Sequence, residues 1–256
     1  MKKALLTVSF GTSVPGADAA ILSAEASLRE ACPDRDHFRA YTSRIICRKL
    51  REEGRPVPTP EEALEQILAD GYTDVVIQPT HLIPGREYEK LCGIAAEYEN
   101  RFERLRVSTP LISSSDDLKA AAEAVLAHFP AREGKALVLM GHGTEHIANM
   151  IYPALQTAFR LMGEENVYVG TVEGWPEIGE IAQQLAKSGC REVDLAPFML
   201  VAGDHAVNDM AGDEPDSWKS ILEREGYTVH CSMEGIGGWE EIHEIFRRHL
   251  LEVCSD

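Results

Sequence analysis

Positive charge is what this chain is short of. Against 42 aspartates and glutamates stand 25 lysines and arginines, a formal charge of −17 over 256 residues. So acidic a surface repels phosphate backbones and anionic headgroups, which excludes nucleic acid and a membrane surface as partners. Long apolar runs are missing too. No stretch approaches the roughly 18 residues a membrane helix needs, so no span is expected. Met1-Lys2-Lys3 leads at once into a run holding Ser9 and Gly11, too short and polar for a secretion signal, so a cytoplasmic protein is expected. Paired cysteines are absent as well. Cys32, Cys47, Cys92, Cys190, Cys231 and Cys254 are scattered with no CxxC, which reads as reduced thiols rather than a disulfide framework. There is no GxxxxGK[ST] loop and no HExxH pair, which removes the P-loop ATPases and the HExxH metalloproteases.

What remains is a chain with 44% hydrophobic residues, long enough for one large α/β domain or two of about 125 residues each. Its most informative residue is His142. The run Ala136-Leu137-Val138-Leu139-Met140 breaks at Gly141-His142-Gly143-Thr144, the pattern of a buried parallel strand opening into a loop. Ligands in open α/β sheets bind beyond the carboxyl ends of the strands, so an imidazole there, between two glycines, is placed to reach one. The same pattern recurs where Glu192 to Pro197 leads through Phe198-Met199-Leu200-Val201-Ala202-Gly203-Asp204 to His205.

The chain also repeats itself. Leu5 to Thr12 matches Val138 to Thr144, with Phe10 opposite His142 and Gly11 opposite Gly143. Val75-Val76-Ile77-Gln78-Pro79 matches Val193-Asp194-Leu195-Ala196-Pro197, and Gly85 then falls opposite Gly203. The first match is offset by 142 − 10 = 132 residues and the second by 197 − 79 = 118, so the N-terminal half carries 14 extra residues between its landmarks. The polar, proline-broken stretch 48–60 is the expected place for them. Two matches in one order point to a duplicated βα unit.

Periodicity predicts strands near 3–9, 38–42, 73–79 and 104–108, with helices near 17–31, 60–70, 86–99 and 116–129. Thr59-Pro60-Glu61-Glu62 marks one helix start, with an N-cap, a proline at the first position and an acid at the third. In the second half, strands are predicted near 136–141, 167–171, 191–197 and 228–232, with helices near 145–162, 176–187 and 238–252. Alternating strands and helices mean a parallel sheet covered on both faces. The expected architecture is α/β: two similar lobes, 1–129 and 130–256, each a parallel sheet flanked by helices, with a cleft between them and the metal site in the C-terminal lobe.

At the expected strand ends of the second lobe stand His142, Glu173 (in Gly170-Thr171-Val172-Glu173-Gly174-Trp175-Pro176) and His205. Two imidazoles and a carboxylate suit a divalent first-row metal with open coordination positions. The first lobe offers the loop Ser9-Phe10-Gly11-Thr12-Ser13, whose N–H groups just ahead of a helix form an anion cradle, and the segment Pro79 to Arg86 with His81 and Leu82. Taken singly, each histidine reads as well as a loop or core residue; their matching depths make the pair a site. His146, one turn beyond His142, reads as a helix-surface residue.

At these residues the chain resembles a known family. Val8 to Ser13, Met140 to His146, Val172 to Glu177 and above all Met199 to Met210 are similar to the anaerobic cobalt chelatases. The resemblance covers essentially the whole chain. It implies the class II chelatase fold, with a tetrapyrrole between two α/β lobes. It implies insertion of Co²⁺ into sirohydrochlorin or precorrin-2 in cobalamin synthesis, with no ATP-hydrolysing subunit and no cofactor beyond the substrate metal. His142 and His205 carry over as metal-binding and catalytic residues, and Glu173 as third member of the site, either ligand or proton acceptor. Ser9, Phe10, Gly11, Thr12, Ser13, His81, Leu82, Arg86, Met199 and Leu200 are the expected substrate contacts. Sirohydrochlorin bears eight carboxylates, so N–H groups and cations such as Arg86 must offset the acidic surface locally. Ni²⁺ and Fe²⁺ suit the same ligands as well as Co²⁺. A homo-oligomer is compatible with the sequence. A histidine phosphatase fits poorly, because the residue before His142 is Gly141 rather than arginine. A non-catalytic tetrapyrrole or metal carrier would have no evident need of Glu173.

Overall fold

The computed structural model describes residues 2–255. Its elements run β1 (Lys3–Ser9), α1 (Ala19–Ala31), β2 (Asp36–Tyr41), α2 (Arg44–Glu52), α3 (Pro60–Ala69), β3 (Asp74–Pro79), α4 (Arg86–Tyr98), β4 (Arg104–Val107) and α5 (Ser115–His128). There follow β5 (Lys135–Gly141), α6 (Ile151–Leu161), β6 (Val167–Thr171), α7 (Ile178–Leu185), β7 (Glu192–Pro197), α8 (Trp218–Arg224), β8 (Thr228–Cys231) and α9 (Glu240–Ser255). The expected α/β class holds: all strand pairings are parallel, in two four-stranded sheets with helices between successive strands.

The two sheets have one topology, β2-β1-β3-β4 and β6-β5-β7-β8. They also share a register. Val8 pairs with Pro79 as Met140 pairs with Pro197, and Ser9 with Tyr41 as Gly141 with Thr171. Central strands covered on both faces read as unbroken apolar runs, which is why β1 and β5 are legible. All of Ala4–Ser9 and Ala136–Gly141 are buried. The insertion falls where expected: residues 42–73 join β2 to β3, while the shorter 172–191 join β6 to β7.

Compact units divide the chain at Ser113 and again at Trp239, so the first unit includes the segment from Glu240 onward and the second runs Ser114–Trp239. The expected lobe boundary lay instead at 129 and 130, with the last helix in the second lobe. Two packings explain the difference. In the first unit α9 lies against α1, and Arg247 donates to the Ser27 hydroxyl at 2.6 Å and Arg106 to the Val253 carbonyl at 2.7 Å. In the second, α5 packs on α6. Neither long-range packing is written in local periodicity.

Helix α3 starts as predicted. The Thr59 hydroxyl accepts from the Glu62 amide at 3.3 Å, and the Thr59 amide donates to the Glu62 carboxylate at 2.9 Å. Such a box is worth about 1 kcal/mol. Two helices were not expected. Helix α2 buries only Cys47 and Leu50, and α8 only Trp218 and Leu222, stripes too thin to stand out in a periodicity scan. Helix α1 begins at Ala19 rather than 17. Residues 145–162, expected as one helix, start as a 3₁₀ turn over Ile147–Met150 before α6.

Candidate metal centre

Sheet order places the carboxyl ends of β6, β5 and β7 side by side in the second unit. His142 is the first residue past β5, Glu173 lies two past β6, and His205 eight past β7. The β5–β6 ladder runs on into the loops, with the Val172 amide donating to the Gly141 carbonyl at 3.1 Å and the Glu173 amide to the His142 carbonyl at 2.7 Å. Across the other edge the Phe198 amide donates to the Met140 carbonyl at 2.8 Å.

The three expected residues converge. One donor atom from each of His142, Glu173 and His205 lies within 4.8 Å of the others, a group able to hold a metal ion. The imidazoles meet edge to face, with ring centroids 4.8 Å apart, and Glu173 Oε2 stands 3.8 Å from His142 Nδ1. The three side chains are 42%, 57% and 29% exposed, so an incoming ion reaches them from solvent. Imidazole nitrogens and a carboxylate oxygen match the preferences of divalent cobalt, nickel, iron and zinc.

Residues that the sequence did not single out hold this group in place. Asn149 is buried behind it. Its Oδ1 accepts from the Thr144 amide at 3.0 Å and its Nδ2 donates to the Trp175 carbonyl at 2.6 Å, tying the loop of His142 to that of Glu173. The fully buried phenol of Tyr152 bonds to the backbone of His142 and Gly143, and burial pushes its pKa up to about 12. His142 Nδ1 lies 2.9 Å from the Gly143 carbonyl, and His205 Nδ1 2.7 Å from Asp209 Oδ2. The His205–Asp209 spacing of four was visible in the sequence; Asn149 and Tyr152 left no signal there. His146 is not a helix-surface residue but a cap, its ring accepting from the Ala148 amide at 3.2 Å.

The expected substrate contacts divide. In the first unit Phe10 is 45% exposed, Arg86 opens α4 on the surface, and Leu82 and Ser13 are half-buried. Ser9 is buried, its hydroxyl 2.7 Å from that of Thr80, while Gly11 and Thr12 are also covered, and the Thr12 hydroxyl accepts from the Val14 amide. The loop 9–13 is not an N-terminal helix cradle, because α1 begins only at Ala19. Both ring nitrogens of His81 are buried without a hydrogen-bond partner. In the second unit Leu200 is half-buried, but Met199 lies in the hydrophobic core among Val138, Met140 and Trp218 and so is no surface contact.

Comparison with known proteins agrees with the geometry. The fold is that of the class II chelatases: over 99% of this chain and 96% of the other it superposes with TM-score 0.65 on SirB from Bacillus subtilis with Fe³⁺, at 18% identity. The chain belongs to the cobalt chelatase (CbiK) family, which it matches over residues 3–255. It is 42% identical to the sirohydrochlorin cobaltochelatase of Salmonella typhimurium, covering 100% of this chain and 97% of that protein. It is 33% identical to sirohydrochlorin cobaltochelatase CbiKC of Nitratidesulfovibrio vulgaris, covering 99% and 91%.

Proposed function

We propose that this protein inserts Co²⁺ into sirohydrochlorin, as its relatives of that name do, on the route to cobalamin and without ATP. The observation that carries this reading is the convergence of His142, Glu173 and His205 on one solvent-open point at adjacent strand ends. Insertion needs a metal held loosely enough to leave, a face for a flat macrocycle, and an acceptor for two pyrrole protons. Neutral imidazoles meet the first need, since they bind a divalent ion while open positions remain for the incoming nitrogens. The loops carrying the three residues meet the second. They expose Ile147, Met150, Trp175 and Val207, apolar side chains suited to a ring edge or face. Glu173 meets the third, as a carboxylate beside the metal position able to take a proton.

In the first unit, Phe10, Leu82 and Arg86 extend this reading as substrate contacts, the last for a carboxylate of the octaanion. The same reading has the protein working in the cytoplasm with free cysteines. Its test is an anaerobic absorbance time course with sirohydrochlorin and each of Co²⁺, Ni²⁺ and Fe²⁺. Fastest conversion is expected with Co²⁺. Conversion with none of the three would contradict chelatase activity, and a clear preference for Ni²⁺ or Fe²⁺ would overturn the choice of cobalt.

A further inference from the structure

The His205 ring is gripped by an acidic side chain. Its Nδ1 lies 2.7 Å from Asp209 Oδ2, a hydrogen-bond distance. A carboxylate accepts and does not donate, so this contact requires the neutral imidazole to carry its proton on Nδ1 and its lone pair on Nε2. The local backbone is built for the contact. Residues Ala206–Met210 form a π-helical turn in which the Ala211 amide donates to the Ala206 carbonyl at 3.1 Å. Single π turns of this kind concentrate at functional sites. The turn is anchored from below, with Ala206 and Met210 buried in the core of the second unit. The side chains of His205 and Asp209 stay on its open side, 29% and 45% exposed.

We propose that Asp209 is a positioning residue. It orients the His205 ring and fixes its tautomer, so that Nε2 meets the metal with its lone pair. His142 is held in the same sense by a neutral acceptor, the Gly143 carbonyl 2.9 Å from its Nδ1. The two imidazoles thus present the same nitrogen, and behind His205 the anion stands at hydrogen-bond distance, closer than the 3.8 Å between His142 Nδ1 and Glu173 Oε2. An anionic outer partner holds the ring more firmly and strengthens its bond to a divalent ion, whereas a carbonyl does so less. Asp209 does not belong to the group of donor atoms that converge, so it acts through His205 rather than on the metal.

This inference rests on His205 being a metal ligand, and its test separates the two. Long-range ¹H–¹⁵N spectra of the intact protein, recorded where the rings are neutral, report which nitrogen of His205 is protonated. Co²⁺ titration followed by visible absorbance reports affinity. Wild type is expected to carry the His205 proton on Nδ1. Asp209→Ala is expected to lose that preference and to bind Co²⁺ about 10–100-fold more weakly, the usual cost of removing an outer partner of a metal-binding histidine. Asp209→Leu, matched to the carboxylate in size, serves if the alanine variant does not fold, with the same expectation. A proton found on Nε2 in wild type would overturn the inference, as would an unchanged Co²⁺ affinity in the variants. If His205→Ala abolished binding while Asp209→Ala left it intact, only the role of Asp209 would fall. If His205→Ala bound Co²⁺ like wild type, the metal centre itself would fall.

Discussion

Gly11 and Gly143 occupy the same left-handed turn in the two units, with φ of 97° and 82°. A Cβ on Gly11 would stand 2.5 Å from the Tyr41 ring, and one on Gly143 2.7 Å from Thr171 Cβ and from the Gly174 amide nitrogen. Tyr41 and Thr171 hold equivalent registers on the neighbouring strands, so the same crowding occurs twice. Only glycine enters this conformation cheaply; an L side chain there costs roughly 1–2 kcal/mol before any clash.

Alanine at either glycine should therefore lower stability by at least about 1–2 kcal/mol. The consequences for the metal should differ. Gly143→Ala pushes on the loops of His142 and Glu173 and should weaken Co²⁺ binding, whereas Gly11→Ala should leave it unchanged. Urea unfolding paired with Co²⁺ titration checks both, and equal loss of affinity in the two variants would count against a centre confined to the second unit.

Glu173 is expected to work in turnover. Glu173→Gln keeps the size and a carbonyl oxygen but removes the charge and the basic site. As a proton acceptor, Glu173 would let this variant bind Co²⁺ nearly as before while kcat fell by about 10²-fold. Activity fully restored by saturating Co²⁺ would make it a ligand instead.

What the sequence made legible has a physical pattern. The His142–Glu173–His205 group was readable because each residue follows a buried parallel strand, and burial on both faces writes itself as an apolar run ended by glycine or proline. The repeat was readable for the same reason, through Pro79 and Pro197 at one register. Met199 misled because it belongs to a conspicuous motif, yet its side chain turns into the core. Asn149 and Tyr152 were invisible, since a buried amide joining two loops and a phenol under one of them depend on contacts no local pattern carries. Helix α9 returning to the first unit failed to show for the same reason.

Stability should fall as pH drops from about 6.5 to about 4. Burial holds the His81 imidazole down at about 4, below its ordinary 6.5, with Glu87 opposing weakly. Between these values the unfolded chain takes up a proton that the folded protein refuses, so the native state loses ground with acid. The full window is worth roughly 3 kcal/mol at about 1.4 kcal/mol per pH unit. His37, lowered likewise by burial, adds in the same direction. His81→Leu should thus flatten part of the slope in chemical denaturation, and an unaltered slope would remove His81 from this role.

Substrate binding should weaken as salt rises. Eight carboxylates approach a chain of charge −17, so local cationic contacts carry the attraction, and they are screened over about 10 Å at 0.1 M salt. Arg86→Ala should raise KM more than it lowers kcat, because it removes ground-state binding. Salt-independent KM for sirohydrochlorin would contradict the electrostatic account.

The most direct measurement is anaerobic turnover of sirohydrochlorin with Co²⁺ by His142→Ala and His205→Ala beside wild type, with circular dichroism to confirm the fold. Both rings are solvent-open strand-end residues rather than core, so folding should survive their loss. Each variant is expected to lose turnover by about 10²-fold or more, the scale for removing a group at the reacting centre, together with its Co²⁺ affinity. Near-wild-type turnover in either folded variant would contradict the assignment of the metal centre.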